Sequence, residues 1–140
     1  MPRVVIDTNV LVSASIVTLS PSARIFQAAR NGQIMLLTSR YLIEEYQTTI
    51  RRPHITKKYA QVAERGDALV DFLVTSAVIT PGIKKPVSAL RDPKDVAILA
   101  CAVEGDADYI VSGDRDLTVL KSFQRIPILT PAEFARRFKL

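Results

Sequence analysis

The chain has 140 residues, 48% of them hydrophobic and 24% charged, the proportions of a folded globular protein. That length suits one ordinary domain, long enough to bury roughly two-thirds of the surface its unfolded form would expose, and the absence of Gly/Ser-rich, Pro-rich or single-residue tracts argues against a disordered arm. Nineteen Lys and Arg against 14 Asp and Glu give a formal charge of +5, a balance that favours polyanionic partners.

The first apolar run, Val4 to Ile6, reads as a short strand, and Asp7-Thr8-Asn9 stands where it would end. Pro21 to Arg30 places Ala23, Ile25, Phe26 and Ala29 at helical spacing, with Ser20 before the proline and Asn31-Gly32 as the stop. A second strand is expected over Ile34 to Leu37. Ser39 then caps a helix running to about Ile50, with Leu42, Ile43, Tyr46 and Ile50 apolar and Pro53 beyond its end. Thr56 is the expected cap of the next helix, whose Tyr59, Val62, Leu69, Phe72 and Leu73 face a core and which Gly66 would divide. Ala77 to Ile79 is a further strand candidate. Asp92-Pro93 gives a cap and first-turn proline for a helix through Val103, with Ala97, Ile98, Cys101 and Ala102 as its buried stripe. Strands at Tyr109 to Val111 and Ile126 to Leu129 follow, and Thr130-Pro131 opens a short last helix carrying Phe134 and Phe138.

Continuous apolar strands alternating with helices predict an α/β fold with a mostly parallel sheet covered on both faces. Such sheets bind ligands beyond the carboxyl ends of their strands, which places Asp7 and Asp114 on one edge. The single Cys101 cannot form an internal disulfide and reads as a small core residue in a reducing compartment. Met1-Pro2-Arg3 leads straight into the first strand without an export signal, and the longest apolar run, Val96 to Val103, is far below the roughly 20 residues needed to cross a bilayer. A cytoplasmic protein with no membrane partner is expected.

The acids carry the chemistry. Taken alone, Asp7 is most economically a turn cap. Glu44 and Glu45 point about 100° apart on their helix, so one faces a cleft and the other solvent; Glu45, on the border of the apolar stripe, is the better inward candidate. Asp92 is explained as an N-cap, and Asp95 suits a first helical turn through the macrodipole. Asp114 and Asp116 suit a turn and helix entry. Convergence would change these readings, because clustered carboxylates repel unless a cation lies between them. Hard oxygen ligands favour Mg²⁺ or Mn²⁺, and the chemistry they support is phosphodiester hydrolysis.

Other chemistries lack their residues. The only histidine, His54, has no zinc-spaced partner, no Gly-rich sequence ends in Gly-Lys-Ser/Thr, and the position two residues after Asp7 is Asn9 rather than the acid of a phospho-aspartate enzyme. Arg51, Arg52, His54, Lys57 and Lys58 form a basic cluster, while Lys84-Lys85 and Arg136-Arg137-Lys139 lie elsewhere; such runs are also found on solvated faces.

Val5-Ile6-Asp7-Thr8-Asn9-Val10-Leu11, Ser39 through Glu45 with Arg51-Arg52-Pro53, Arg91-Asp92-Pro93-Lys94-Asp95, and Ala107 through Leu117 occur in the order and register of the PIN-domain family, which the chain resembles along essentially its whole length. It looks most similar to stand-alone PIN proteins of the VapC type, the toxins of toxin–antitoxin systems. The resemblance implies a three-layer α/β/α sandwich with a central parallel five-stranded sheet, and a Mg²⁺- or Mn²⁺-dependent ribonuclease of single-stranded or structured RNA. Carried onto this chain it implies Asp7, Glu45, Asp95 and Asp114 as the catalytic acids, with Asp7, Asp95, Asp114 and the more variable Asp116 around the metal. Thr8, Asn9 and Ser112 would hold a carboxylate or water behind them, and Arg51, Arg52 and Lys57 would hold the RNA backbone without reading its bases. Val96 departs from the family, which often has a further Asp there. A small antitoxin over the acidic cleft and self-association are also implied. The competing classes are a PIN-like module that binds RNA or protein without turnover, and a nuclease of DNA or structured flaps.

Overall fold

The computed structural model describes residues 1–83 and 92–140; Lys84-Lys85 and Arg91 of the motifs above lie outside the described residues. Five parallel strands form the centre: β1 (Arg3–Ile6), β2 (Met35–Ser39), β3 (Val78–Thr80), β4 (Tyr109–Val111) and β6 (Ile126–Leu129). A two-residue strand, β5 (Ser122–Phe123), extends the edge antiparallel to β6, giving the order β3-β2-β1-β4-β6-β5. The parallel five-stranded expectation is met, and β5 is an addition to it. Its turn, Gln124-Arg125, has φ of 48° and 69°, the double positive φ of a tight hairpin usually given to Asn and Gly, which is why the sequence gives no signal for it.

Among the described residues seven helices lie between the strands and an eighth follows the last: α1 (Thr8–Ile16), α2 (Pro21–Arg30), α3 (Arg40–Ile50), α4 (Pro53–Thr56), α5 (Val62–Ser76), α6 (Pro93–Glu104), α7 (Arg115–Thr118) and α8 (Pro131–Arg137). They cover both faces of the sheet. Val4, Ile6, Leu36 and Val111 pack against α1, α2, α3, α5 and α8, with Ile25, Tyr46, Leu73 and Phe134 at the heart of that layer. Val5, Leu37, Ile110 and Ile128 turn to the other face, against Ile98, Leu99, Cys101 and Ala102 of α6 and Leu117 of α7. Alternation along β1 thus feeds two cores, and Cys101 is the buried core residue expected.

Several helices start as their sequences dictate. Ser20 accepts the Ala23 N–H and Ser39 the Leu42 N–H, while Thr130 and Glu133 exchange bonds of 3.1 Å in a full capping box. α1 was not expected. Its Thr8, Val10, Val12 and Ile16 are β-branched and poor helix formers, but burial of Val10 and Leu11 against the sheet outweighs that preference. The region after α3 also differs from expectation: Pro53 starts a single turn, Thr56 ends it, and α5 continues unbroken through Gly66. A Cβ there would lie 2.1 Å from Ile50 Cδ1 and 3.1 Å from Tyr46 Oη, so the glycine admits a close helix crossing. No single described helix is long and apolar enough to cross a membrane.

Candidate metal centre

β1 and β4 are paired neighbours in register Ile6 to Val111, so the residues after them emerge side by side. Asp7 is fully buried. It caps α1, accepting the Asn9 N–H on Oδ1 at 3.4 Å, so the economical reading of Asp7 as a cap is correct. The same side chain does more: its Oδ2 accepts a hydrogen bond of 2.6 Å from Ser112 Oγ. Ser112 Oγ in turn accepts the Asp114 N–H at 3.0 Å. Asp114 caps α7, with Oδ1 accepting the Asp116 N–H at 2.9 Å. One serine therefore fixes two acids from opposite ends of the chain.

The start of α6 closes the site. Asp92 caps it through the Lys94 N–H at 2.9 Å, and Asp95, one turn in, is 1% exposed with an Oδ1 that has no hydrogen-bond partner among the described residues. One carboxylate oxygen each from Asp95, Asp114 and Asp116 lie within 4.8 Å of one another. Burial, then the charge of Asp114, pushes the Asp95 pKa up to about 6, against the opposing pull of Lys94. Lys94 Nζ reaches into the same space, 3.6 Å from Asp7 Oδ1 and 3.8 Å from Asp114 Oδ2. Burial works against that ammonium, but Asp7, Asp95, Asp114 and Asp92 outweigh it and hold its pKa above the ordinary lysine value.

Glu45 is half-buried on α3, whereas Glu44 is exposed and pairs with Arg40 at 2.9 Å. Glu45 lies outside the three-carboxylate group, but its charge, with that of Asp92, adds to burial in raising the pKa of Tyr41, which Lys94 opposes. Tyr41, 45% exposed, thus stands beside the acids. Thr8 is buried with an unpartnered Oγ1, and Asn9 is exposed on a groove of about 610 Å³ shared with Ser13, Ser22, Asp114 and Arg115.

The basic residues expected to hold RNA lie further off. Arg51 follows the last turn of α3 and pairs with Asp67 at 2.6 Å, which offsets its charge, while Arg52 and Lys57 flank α4 and are exposed. Lys94 and Arg115 were not singled out from the sequence, although both stand next to acids that were.

A family model described as a PIN domain matches residues 3–116. The chain belongs to the PIN-domain family. Members of the family are generally nucleases. An uncharacterized protein of Methanocaldococcus jannaschii, MJ1680, is 27% identical over 145 aligned residues, covering 98% of this chain and 92% of the relative. In fold the chain is similar to a crystal structure of VapBC2 from Rickettsia felis bound to a DNA fragment from their promoter, with a TM-score of 0.56 and 14% identity over 91% of this chain and 98% of that one.

The PIN fold accounts for the placement of the acids, and their chemistry fits a hard divalent cation. The atoms of Asp95, Asp114 and Asp116 that could hold an ion are all carboxylate oxygens. The buried Asp95 Oδ1 is an acceptor for which the described residues supply no donor, and such an atom costs free energy unless something binds it.

Proposed function

We propose that this PIN-domain protein is a Mg²⁺- or Mn²⁺-dependent endoribonuclease and the toxin of a toxin–antitoxin pair. The observation that carries the reading is the Asp95, Asp114 and Asp116 carboxylate group beside buried Asp7, with Asp95 Oδ1 left without a partner. Asp7, Asp95, Asp114 and Asp116 would hold the ion, and Glu45 would stand close by. A bound divalent ion neutralises charge on a phosphoryl oxygen and makes water a better nucleophile.

The protein's own groups prepare that chemistry. Ser112 occupies Asp7 Oδ2, while Oδ1, which accepts the long Asn9 N–H bond of 3.4 Å, faces Lys94; the Asp116 N–H fixes Asp114 Oδ1 and leaves Oδ2. These bonds limit rotation of both carboxylates before substrate arrives. The groove lined by Asn9, Ser13 and Ser22 leads from Asp114 past Arg115, whose guanidinium suits a phosphate of the strand being cut. Arg52 and Lys57 would contact the backbone further along. The net charge of +5 supports an RNA substrate by counterion release.

The similarity in fold to VapBC2 supports a small antitoxin partner; self-association and a cytoplasmic setting are part of the same proposal. Cleavage of single-stranded RNA, single-stranded DNA and branched substrates in Mg²⁺ and in Mn²⁺ tests the reading, with wild type beside Asp7→Asn and Asp95→Asn. Metal-dependent RNA cleavage by the wild type alone is expected. Equal cleavage by all three proteins would rule this site out, and RNA binding without cleavage in either metal would favour a binding module instead.

A further inference from the structure

Lys94 lies in the first turn of α6, between the capping Asp92 and the buried Asp95. Its backbone N–H is held by Asp92 Oδ1, which fixes where the stem begins. Its side chain is 14% exposed, so the ammonium is mostly withdrawn from water. The two oxygens it faces are Asp114 Oδ2, which the Asp116 N–H leaves open, and Asp7 Oδ1, which Ser112 leaves to a single long bond of 3.4 Å from the Asn9 N–H. At 3.6 and 3.8 Å both contacts are longer than a charge-assisted hydrogen bond. The ammonium neutralises these acids without being seated on either.

We propose that Lys94 is a tethered counter-ion which a divalent cation displaces from between Asp7 and Asp114, so that this lysine sets the affinity of the site for its metal. The inference rests on the metal-centre reading of the acids. Without a cation the clustered carboxylates repel one another, and the lysine supplies one positive charge on a flexible four-carbon stem. On the metal-centre reading a divalent ion would take the same two oxygens and would not share the space with an ammonium. Metal entry therefore drives Lys94 outward, and part of the binding free energy is consumed in breaking the lysine's ion pairs. Removing the lysine leaves the metal-free site with uncompensated repulsion, while freeing the metal of its competitor. A lysine that served only to bind phosphate would have neither effect.

Isothermal titration of Mn²⁺ alone into the full chain tests this, using wild type, Lys94→Met, Lys94→Gln, Lys94→Arg and Asp95→Asn, together with thermal melts of each protein without metal. Lys94→Met and Lys94→Gln should bind Mn²⁺ roughly tenfold tighter than wild type, as expected for removal of a partly desolvated competing charge. Both should melt lower without metal and regain the difference when Mn²⁺ is added. Lys94→Arg should stay near wild type in both measurements. If Lys94→Met fails to fold without metal, the Gln variant carries the comparison. Unchanged or weaker Mn²⁺ binding by the neutral variants, with wild type binding and Asp95→Asn impaired, would overturn the exchange while leaving the metal centre standing. No Mn²⁺ binding by any variant, or binding indifferent to Asp95→Asn, would overturn the metal centre and the exchange with it.

Discussion

Ser112 Oγ donates to Asp7 Oδ2 across 105 residues of sequence, and that one bond ties the ends of two adjacent strands into a single acidic site. Both partners are fully buried, so Ser112→Ala leaves a charged acceptor short of a donor and also frees the Asp114 N–H. We expect a loss of about 1–3 kcal/mol in stability and roughly 10–100-fold in metal affinity or cleavage rate. Urea unfolding and initial rates on a single-stranded RNA measure the two effects. Full activity in a destabilised variant would separate Ser112 from the chemistry.

Asp95 should make the stability of the metal-free protein depend on pH. Its folded pKa is raised from 3.8 to about 6, so between those values the folded chain holds a proton that the unfolded chain has released. Stability from this group is therefore fullest at the acid end and is lost as pH rises from 3.8 to about 6. Asp95→Asn should remove this contribution to the slope, and saturating Mg²⁺ should flatten it in the wild type. Thermal melts across this range without metal provide the check.

Gly66→Ala should destabilise the protein although alanine is the better helix former. The propensity gain is about 1 kcal/mol. Against it, the new Cβ would lie 2.1 Å from Ile50 Cδ1, and Ile50 and Tyr46 are both fully buried. Overpacking of this kind costs about 1–3 kcal/mol, so a net loss is expected in chemical denaturation. A more stable Gly66→Ala would mean that α3 and α5 separate easily.

Tyr41 stands half-exposed beside the acids, where an aromatic face suits stacking on an unpaired base. Tyr41→Ala should raise KM for single-stranded RNA by about tenfold, the lower end of the roughly 1–3 kcal/mol per stacked base. Tyr41→Phe keeps the face and should keep the KM. A Tyr41→Ala protein with unaltered KM would place the bound strand elsewhere.

Much of the fold was legible because its cues are local. Tyr109–Val111 and Ile126–Leu129 have the predicted bounds, since each is a short apolar run closed by polar residues or a proline. Ser20-Pro21, Asp92-Pro93 and Thr130-Pro131 mark their helix starts without help from the rest of the chain. The features that went unseen depend on distant partners. α1 is β-branched and becomes helical by packing on the sheet, and β5 turns on Gln124 and Arg125, which carry no hairpin signature. The acids were legible as a pattern because they follow strands or open helices on one edge. Lys94 was not, since nothing in Pro93-Lys94-Asp95 reveals that its ammonium returns to an oxygen of Asp7.

Asp7 and Asp114 each cap the helix that follows them, and on the proposed chemistry this gives selection two reasons to keep them. A descendant that stopped cutting phosphodiesters would still lose helix starts by discarding Asp7 or Asp114. The presence of those two acids therefore says little about whether a PIN protein is active. Asp95 and Glu45 cap nothing. If they serve the proposed reaction, their loss would be the earlier mark of a chain that has kept its shape and abandoned that reaction.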